Sequence, residues 1–190
     1  SVILDIGVGQ AQFSSLFARF EQRLAADFFP YPDANLICNL TQRLPIRDNA
    51  CDIAIASNVL EHLPDGQATL AECHRVLKPG GQLFGAVPFL ARVHQGPYDF
   101  HRYTYLMLKK LLQEAGFTDI EVIDLGTPKD AYIQLQLHFF YYLFEDAPGI
   151  ASKYLWVVQR IVNSLGAGIL GRAKATPAYT LGYAFSAKKS

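Results

Sequence analysis

The chain has 190 residues, of which 51% are hydrophobic and 18% charged, and its 17 basic and 17 acidic side chains give a formal net charge of zero. This length and apolar content predict a single globular domain over residues 1–190 with a sizeable core. A neutral chain gives no electrostatic argument for a nucleic-acid partner. The three cysteines lack C-x-x-C spacing and indicate neither a disulfide framework nor a zinc site. We find no signal-peptide pattern and no run of 18 apolar residues, so we expect a cytoplasmic protein without a transmembrane span.

The amino-terminal stretch predicts a strand, a glycine loop and a helix in succession. Val2 to Ile6 form an apolar, β-branched run that is typical of a buried parallel strand. Gly7 and Gly9 follow, and glycine lets the backbone turn sharply and approach a ligand closely. Apolar residues at helical spacing then predict a first helix at about residues 12–21. In open α/β sheets, nucleotides bind at the carboxyl end of such a strand.

The next two predicted strands each end at a polar residue. A short second strand ends at Asp27, about 20 residues after Gly7, where one carboxylate can accept hydrogen bonds from two ribose hydroxyls. A third strand over residues 34–40 carries Asn39 near its end. The dinucleotide fingerprint G-x-G-x-x-G would place its third glycine at Gln12. An NAD-dependent oxidoreductase is therefore disfavoured, and it stays as an alternative.

The remaining elements alternate between strands and helices. The fourth strand is predicted from Cys51 to Ser57, and a helix over residues 66–77 is expected to stop where Pro79 and Gly80 reverse the chain. We predict a fifth strand over residues 82–88 and a helix that Thr104 caps and Gly116 ends. A sixth strand over residues 120–125 and a seventh over residues 179–188 complete the pattern, the last pair being antiparallel.

Several strings in the sequence resemble the motifs of class I S-adenosylmethionine-dependent methyltransferases. They are Asp5-Ile6-Gly7-Val8-Gly9, Leu60-Glu61-His62-Leu63 and Leu77-Lys78-Pro79-Gly80-Gly81. The resemblance implies an α/β fold, a Rossmann-like three-layer sandwich with a mostly parallel seven-stranded sheet in the order 3-2-1-4-5-7-6. The last strand would be antiparallel, and a helical insertion would separate strands 6 and 7. Members of this family usually carry a helix or two before the first strand, whereas here that strand begins at residue 2.

The resemblance also implies S-adenosylmethionine as the cofactor, held at the carboxyl ends of the first four strands. At the position of Asn39 the family often has an aspartate that accepts from the adenine amino group, and here a neutral amide oxygen would do so. Val8, Ala11 and Asn39 depart from the commoner choices, so a methyltransferase-like binding protein without catalysis is a second alternative. The expected cofactor-binding residues are Asp5, Gly7, Gly9, Asp27, Asn39, Leu40, Ser57, Asn58, Val59 and His62.

The segment after the fifth strand is expected to contact the substrate. Residues 88–104 hold two histidines, one aspartate, two arginines and two tyrosines, which is more chemistry than a connecting loop needs. The string from His94 to Thr104 resembles the H-x-x-P-x-D-[YF]-x-R-[YF]-T signature of a subset of the family. The structural alternative is a polar loop in which Asp99 and Arg102 form a local salt bridge. Substrate contacts are expected from Phe89, Arg92, Tyr98, Asp99, Arg102 and Tyr103.

The reaction implied by the resemblance is an in-line displacement that moves a methyl group to a small-molecule acceptor. The protein contributes to this reaction by aligning the nucleophile with the methyl group and by excluding water. Where the acceptor must lose a proton, His94 or His101 is the preferred general base and His62 the next. We expect no metal-ligand constellation, since Asp99, His94 and His101 form at most a loose one.

A predicted helical insertion of about residues 127–176 lies between the last two strands. Residues 131–144 are apolar nearly all round, and Tyr154, Val158, Ile161 and Leu165 give a second helix an apolar face. Apolar surfaces of this kind usually contact a ligand, a lipid or another protein chain. Three interpretations stay open: a lid over a bulky or lipid-like acceptor, a homodimer surface, or a lipid-contact face that holds the protein at the periphery of a membrane.

Overall fold

The computed structural model describes residues 1–9, 17, 19–144, 149–171 and 173–190. The predicted first helix at about residues 12–21 therefore lies largely outside the described residues. Phe17 is described and is buried.

Within the described residues, seven strands form one sheet with the order β3-β2-β1-β4-β5-β7-β6. The strands from β1 to β5 pair in parallel, and β7 is antiparallel. This confirms the predicted Rossmann-like fold and strand order. The strands are β1 Val2–Ile6, β2 Gln22–Asp27, β3 Leu36–Ile37, β4 Cys51–Ser57, β5 Leu77–Pro88, β6 Phe117–Leu125 and β7 Gly182–Lys189.

Two of the helices begin at a residue whose side chain caps the first turn. The carboxylate of Asp65 accepts from the backbone N–H of Ala68, and the hydroxyl of Thr104 accepts from the backbone N–H of Met107. The described helices are α1 Gly66–Val76, α2 Tyr105–Glu114, α3 Pro128–Phe144 and α4 Gly149–Leu170, with a 3-10 turn at Leu60–His62.

The third strand is much shorter than predicted, and it covers Leu36–Ile37 only. The side chain of Asn35 takes over pairing with β2: its Oδ1 accepts from the backbone N–H of Ala25 at 2.7 Å, and its Nδ2 donates to the carbonyl of Arg23 at 2.8 Å. The backbone N–H of Asn35 also donates to the Ala25 carbonyl at 3.0 Å, and the side chain takes the bond from the Ala25 N–H that a ladder carbonyl would otherwise accept. The predicted strand over residues 34–40 is therefore wrong at both ends, and Asn39 lies beyond the strand.

The fifth strand begins at Leu77 instead of residue 82. Leu77 pairs with Cys51, and the register resumes with Gln82 opposite Ile53. The intervening residues form an irregularity in which Gly80 has a φ of 79°, so the proline and glycines bulge the strand without ending it. The sixth strand also starts earlier than predicted, at Phe117, and the seventh starts later, at Gly182.

The chain divides into two compact units. The first comprises Ser1–Pro88, Val93–Ile123 and Tyr183–Ser190. Its core is formed by the inward-facing residues of the central strands together with α1 and α2. Fully buried members are Ile3, Leu4, Leu70, Leu83, Leu108, Leu112 and Tyr183.

The second unit comprises Phe89–Arg92 and Asp124–Gly182, and it contains the two predicted helices of the insertion. The hydroxyl of Tyr132 on α3 donates to the carbonyl of Val162 on α4 at 3.3 Å. Among the described residues, neither of these helices nor any other has the length and apolarity needed to cross a bilayer. Many of their large apolar side chains are exposed, among them Leu135, Phe139, Tyr141, Tyr142, Trp156 and Ile169.

Candidate active site

Parallel pairing brings the carboxyl ends of β1, β2 and β4 to one edge of the sheet. Ile6 lies opposite both Ala26 on β2 and Ala56 on β4. The backbone N–H of Gly7 donates to the carbonyl of Ala26 at 2.9 Å, which holds the glycine loop against the end of β2. The loop, Asp27 and the residues after β4 are therefore neighbours.

Asp27 is buried and fixes the glycine loop through its carboxylate. Its Oδ2 accepts from the backbone N–H of Gly9 at 3.0 Å, and its Oδ1 accepts from the backbone N–H of Phe29 at 2.9 Å. Gly9 has a φ of 51°, and a Cβ built there would meet no atom of the described residues within 4 Å. Each carboxylate oxygen has two lone pairs and is able to accept a second donor. Asp27 thus presents an oriented acceptor beside a position that no other described residue fills.

Both the backbone conformation at position 7 and a neighbouring side chain require a glycine there. Its φ is 72°, and a Cβ at this position would overlap the side chain of Val59. Val59 is itself buried, so the residue after β4 packs directly on the glycine loop. Val8, between the two glycines, is buried with Ala25.

Asp5 has a partner within the sheet. The guanidinium of Arg23 donates to Asp5 Oδ2 from Nη2 at 2.6 Å and from Nε at 3.2 Å. Burial raises the pKa of Asp5, and the hydrogen bond and charge of Arg23 oppose that rise. The ion pair joins β1 to β2 just before the glycine loop.

Two of the residues expected to hold a cofactor are engaged in local bonds. Asn39 Oδ1 accepts from both the backbone N–H and the hydroxyl of Thr41, at 3.0 and 2.8 Å. The Leu40 side chain is buried, and the Leu40 carbonyl accepts from the Thr69 hydroxyl at 2.9 Å. The Asn39 oxygen therefore stabilises its own turn, which competes with the predicted acceptance from adenine.

The residues after β4 begin with a strained position. Asn58 is exposed and has a φ of 51°, and its backbone N–H donates to the Ala86 carbonyl on β5 at 2.8 Å. Ser57 is half-buried at the end of the strand. A non-glycine residue in this region is uncommon and costs energy, so the fold holds this turn in place.

The segment expected to contact the substrate is fastened to the 3-10 turn. The backbone N–H groups of Phe100 and His101 both donate to the Glu61 carbonyl, at 2.9 and 3.1 Å. His62 Nδ1 lies 2.8 Å from the carbonyl oxygen of Tyr98. The Tyr103 hydroxyl donates to the Leu60 carbonyl at 3.2 Å. These bonds join two segments that are distant in sequence.

Asp99 organises the same segment from within. Its two carboxylate oxygens accept from the Arg102 guanidinium at 2.6 and 2.8 Å, and Oδ2 also accepts from the backbone N–H of His94 at 2.7 Å. The hydrogen bond and charge of Arg102 hold the pKa of Asp99 well below its usual range. The salt bridge that the sequence analysis gave as the structural alternative is therefore present.

Glu61, His62 and His94 form the most unusual cluster of the site. Glu61 is fully buried, and neither of its carboxylate oxygens has a hydrogen-bond partner among the described residues. Its Oε1 lies 3.7 Å from His62 Nε2, and the rings of His62 and His94 meet edge to face with centroids 5.0 Å apart. Burial raises the pKa of Glu61 to about 7. One potential ligand atom from each of the three residues lies within 4.8 Å of the others.

The sequence alone did not predict this ligand set. Glu61 and His62 stand in one recognisable string, and His94 lies in another beyond α1 and β5. Periodicity reports which face of an element is buried, and it does not report where a loop returns. The only available signal was the crowding of histidines at the carboxyl ends of β4 and β5.

The other predicted catalytic and substrate residues lie in different surroundings. The His101 ring packs against the buried Tyr103 ring at 5.2 Å, and burial raises the pKa of Tyr103 to about 12. Tyr98 is half-exposed and contacts Phe29 edge to face. Phe89 and Arg92 belong to the second unit, where the Arg92 guanidinium lies 5.9 Å from the Tyr141 ring centroid.

Comparisons with known proteins show which family the amino-terminal half of the chain resembles. A model of a methyltransferase domain matches residues 4–85, which include the glycine loop, Asp27 and the 3-10 turn. Over these residues the chain is similar to class I S-adenosylmethionine-dependent methyltransferases. The oxidoreductase alternative loses its support with this match.

Individual relatives resemble only part of this chain. A probable S-adenosylmethionine-dependent methyltransferase of Mycolicibacterium smegmatis is 27% identical over 131 residues, which cover 60% of this chain and 51% of that protein. Malonyl-(acyl-carrier protein) O-methyltransferase 1 of Coxiella burnetii is 36% identical over 84 residues, or 40% of this chain and 30% of that protein. The chain thus spans about half, or less, of the length of these curated relatives.

Solved structures share the fold over the whole chain. A methyltransferase structure from Archaeoglobus fulgidus, described as S-adenosylmethionine-dependent, aligns with a TM-score of 0.65 at 18% identity. The alignment covers 99% of this chain and 86% of that one. At this identity the likeness concerns the fold alone.

The geometry at the carboxyl ends of β1 and β2 fits the cofactor of this family. The cofactor is a nucleoside with an amino-acid tail. Its ribose hydroxyls need an oriented hydrogen-bond acceptor, and the loop can approach the cofactor closely only at a residue without a Cβ. Asp27 is such an acceptor, and Gly9 leaves the required space.

Proposed function

We propose that this chain binds S-adenosylmethionine at the carboxyl ends of β1 and β2 and transfers its methyl group to a small-molecule acceptor. The observation that carries the proposal is the buried Asp27 carboxylate, which is bonded to the Gly9 N–H at a position that no other described residue fills. The family of the chain and the Asp-x-Gly-x-Gly string support the same ligand.

The roles of the chain's own residues follow from their contacts. Asp27 would accept from the ribose hydroxyls, and Gly9 would let the loop approach the nucleoside. Asp5 would stiffen the loop through Arg23 rather than contact the cofactor. When bound, the cofactor supplies a sulfonium-activated methyl group.

The acceptor side is proposed to lie at Glu61, His62 and His94. An acceptor that must lose a proton needs a base within hydrogen-bond reach. His62 and His94 lie beside each other and beside the buried carboxylate, whereas His101 packs on Tyr103. Among the three histidines expected from the sequence, His94 and His62 are therefore the better candidates for the base.

The acceptor is proposed to be a hydroxylated small molecule of bulky or lipid-like character. The Coxiella burnetii relative is named an O-methyltransferase, which supports an oxygen acceptor. The second unit exposes many large apolar side chains on α3 and α4, and such surfaces usually meet a ligand, a lipid or another chain. The alternative is that these apolar side chains form a homodimer interface. Light scattering at increasing protein concentration distinguishes a dimer from a monomer.

A titration and a product assay test the proposal together. Calorimetry with S-adenosylhomocysteine should show binding that NAD does not show. Methyl-labelled S-adenosylmethionine incubated with a panel of phenols, fatty acyl acids and amines should then label an oxygen acceptor. Binding of NAD alone would contradict the cofactor assignment.

A methyltransferase-like binding protein without catalysis is the second candidate. It is favoured by Asn39, whose oxygen is bonded to Thr41 where the family often places an aspartate for adenine. Binding of S-adenosylhomocysteine without label transfer to any acceptor in the panel, under conditions where a family member of known activity transfers label, would favour this candidate.

A further inference from the structure

We infer that Glu61, His62 and His94 form a binding site for a divalent first-row transition-metal cation. Two imidazoles and one carboxylate each place a ligand atom within 4.8 Å of the others. Two histidines with a carboxylate are a donor set that suits zinc, iron, cobalt or nickel, whereas magnesium and calcium prefer oxygen alone.

The Glu61 carboxylate is the observation that points to a ligand. The side chain is 0% exposed, and both oxygens lack a hydrogen-bond partner among the described residues. A buried carboxylate without hydrogen-bond partners has lost its solvation and gained nothing in return, so it destabilises the fold. Its Oε1 lies 3.7 Å from His62 Nε2, so a cation between these atoms would bind both and offset that cost.

Hydrogen bonds outside the cluster set the tautomer of His62. The Tyr98 carbonyl oxygen only accepts, so His62 Nδ1 at 2.8 Å must carry a proton. In the neutral ring Nε2 is then the unprotonated nitrogen, and it is the nitrogen that faces Glu61. Ligating histidines in metal sites are held in this way by a carbonyl or carboxylate on the other ring nitrogen.

His94 has the corresponding arrangement with a carboxylate. Its Nδ1 lies 3.2 Å from Asp99 Oδ2, and the Arg102 guanidinium keeps Asp99 in place and ionised. A protonated Nδ1 beside that carboxylate makes Nε2 the nitrogen with a ligating lone pair. Both histidines are thus oriented by groups that do not belong to the cluster.

Three protein ligands leave coordination positions open, which is the pattern of a catalytic site rather than a closed structural one. The cation site stands independently of methyl transfer. When the cation is bound, the free lone pairs of His62 and His94 are used as ligands, so the base role given to them in the proposed function applies to the metal-free protein.

Cobalt and zinc test the site directly. Visible absorption of the apo protein titrated with Co²⁺ should show one saturable site per chain, and Zn²⁺ should displace the cobalt. Glu61→Gln and His94→Gln should each weaken Co²⁺ binding by about tenfold or more. His138→Gln is the matched control, because His138 lies in the second unit and should leave the titration unchanged.

Thermal melting separates a ligand role from a structural role. Glu61→Gln should raise the melting temperature of the metal-free protein, because it removes an unpaired buried charge. The same variant should lose the further rise that Zn²⁺ gives to the wild type. Absence of saturable Co²⁺ binding to the wild type, or equal binding by Glu61→Gln and the wild type, would overturn the inference. Neither result bears on binding of S-adenosylhomocysteine, so failure here is distinguishable from failure of the proposed function.

Discussion

The carboxylate of Asp27 accepts a hydrogen bond from the backbone N–H of Gly9 at 3.0 Å, across 18 positions of sequence. A second bond from the Phe29 N–H fixes the other carboxylate oxygen. The group that we propose for the ribose hydroxyls therefore also holds the glycine loop. Cofactor binding and the shape of the loop depend on the same side chain.

Replacement of this carboxylate by an amide is the first prediction. Asp27→Asn should weaken S-adenosylhomocysteine binding by about 10- to 100-fold, because one acceptor oxygen and the negative charge are lost. Isothermal titration calorimetry measures the change. Asp33→Asn, in the exposed loop that follows, is the matched control and should bind as the wild type does. Unchanged affinity in Asp27→Asn would remove Asp27 from the site.

The two glycines of the loop should respond differently to alanine. Both have positive φ, which costs an L-residue about 1–2 kcal/mol. At Gly9 the added methyl meets none of the described residues within 4 Å, so Gly9→Ala should lose about 1 kcal/mol of unfolding free energy. At Gly7 the methyl overlaps Val59, and the loss should reach about 3 kcal/mol.

Urea denaturation measures these two losses, and a second substitution assigns their cause. Val59→Gly placed in the Gly7→Ala background should recover part of the lost packing energy, because it removes both overlapping atoms, Val59 Cγ2 and Cβ. If Gly7→Ala and Gly9→Ala unfold at the same urea concentration, the packing argument for Gly7 does not hold.

Strand order was predictable because the sequence marks the ends of the central strands. β1 and β4 are apolar runs bounded by Gly7 and by the polar residues after Ser57, and both appear with the predicted limits. Buried parallel strands read as continuous hydrophobic runs, so their positions depend on local composition. The family resemblance then supplied the order in which they pair.

The length of β3 was not predictable from such runs, because Asn35 decides it with a side chain. Its side-chain amide bonds the backbone of Ala25 and Arg23 in addition to the bond that its own backbone N–H makes, and no apolar pattern reports such a bond. The approach of His94 to Glu61 has a similar origin. It depends on bonds from the loop backbone to the Glu61 carbonyl and to His62, and these become visible only in the folded chain.

Tyr103 tests how much the hydrogen bond between residues 88–104 and the 3-10 turn contributes to the free energy of unfolding. Its hydroxyl donates to the Leu60 carbonyl, and the side chain is buried. Tyr103→Phe should lower the unfolding free energy by about 1 kcal/mol, since one buried hydrogen bond is lost and the ring is kept. Tyr98→Phe is the control at a half-exposed ring and should change stability little. Equal effects of the two substitutions in chemical denaturation would contradict the role assigned to Tyr103.

Glu72 should make stability depend on acid. Its carboxylate accepts from Arg75 Nε and Nη2 at 2.8 and 2.6 Å and from the Leu44 N–H at 2.7 Å. The hydrogen bonds of Arg75 lower the pKa of Glu72 below its usual 4.5. A lowered pKa contributes stability that is fully present above the unfolded value and is lost as the pH falls through the folded value.

Glu72→Gln should therefore cost about 2 kcal/mol of unfolding free energy at pH 7, since hydrogen bonds to a charged group are replaced. Below the usual pKa of 4.5 the difference from the wild type should shrink with falling pH, because the wild-type carboxylate then gains a proton. Urea denaturation across this range measures it. Glu114→Gln, at an exposed helix position 3.7 Å from Lys110, is the matched control and should show no measurable change. A difference between Glu72→Gln and the wild type that stays constant down to about pH 3 would show that charge does not contribute, and that the carboxylate acts through its shape alone.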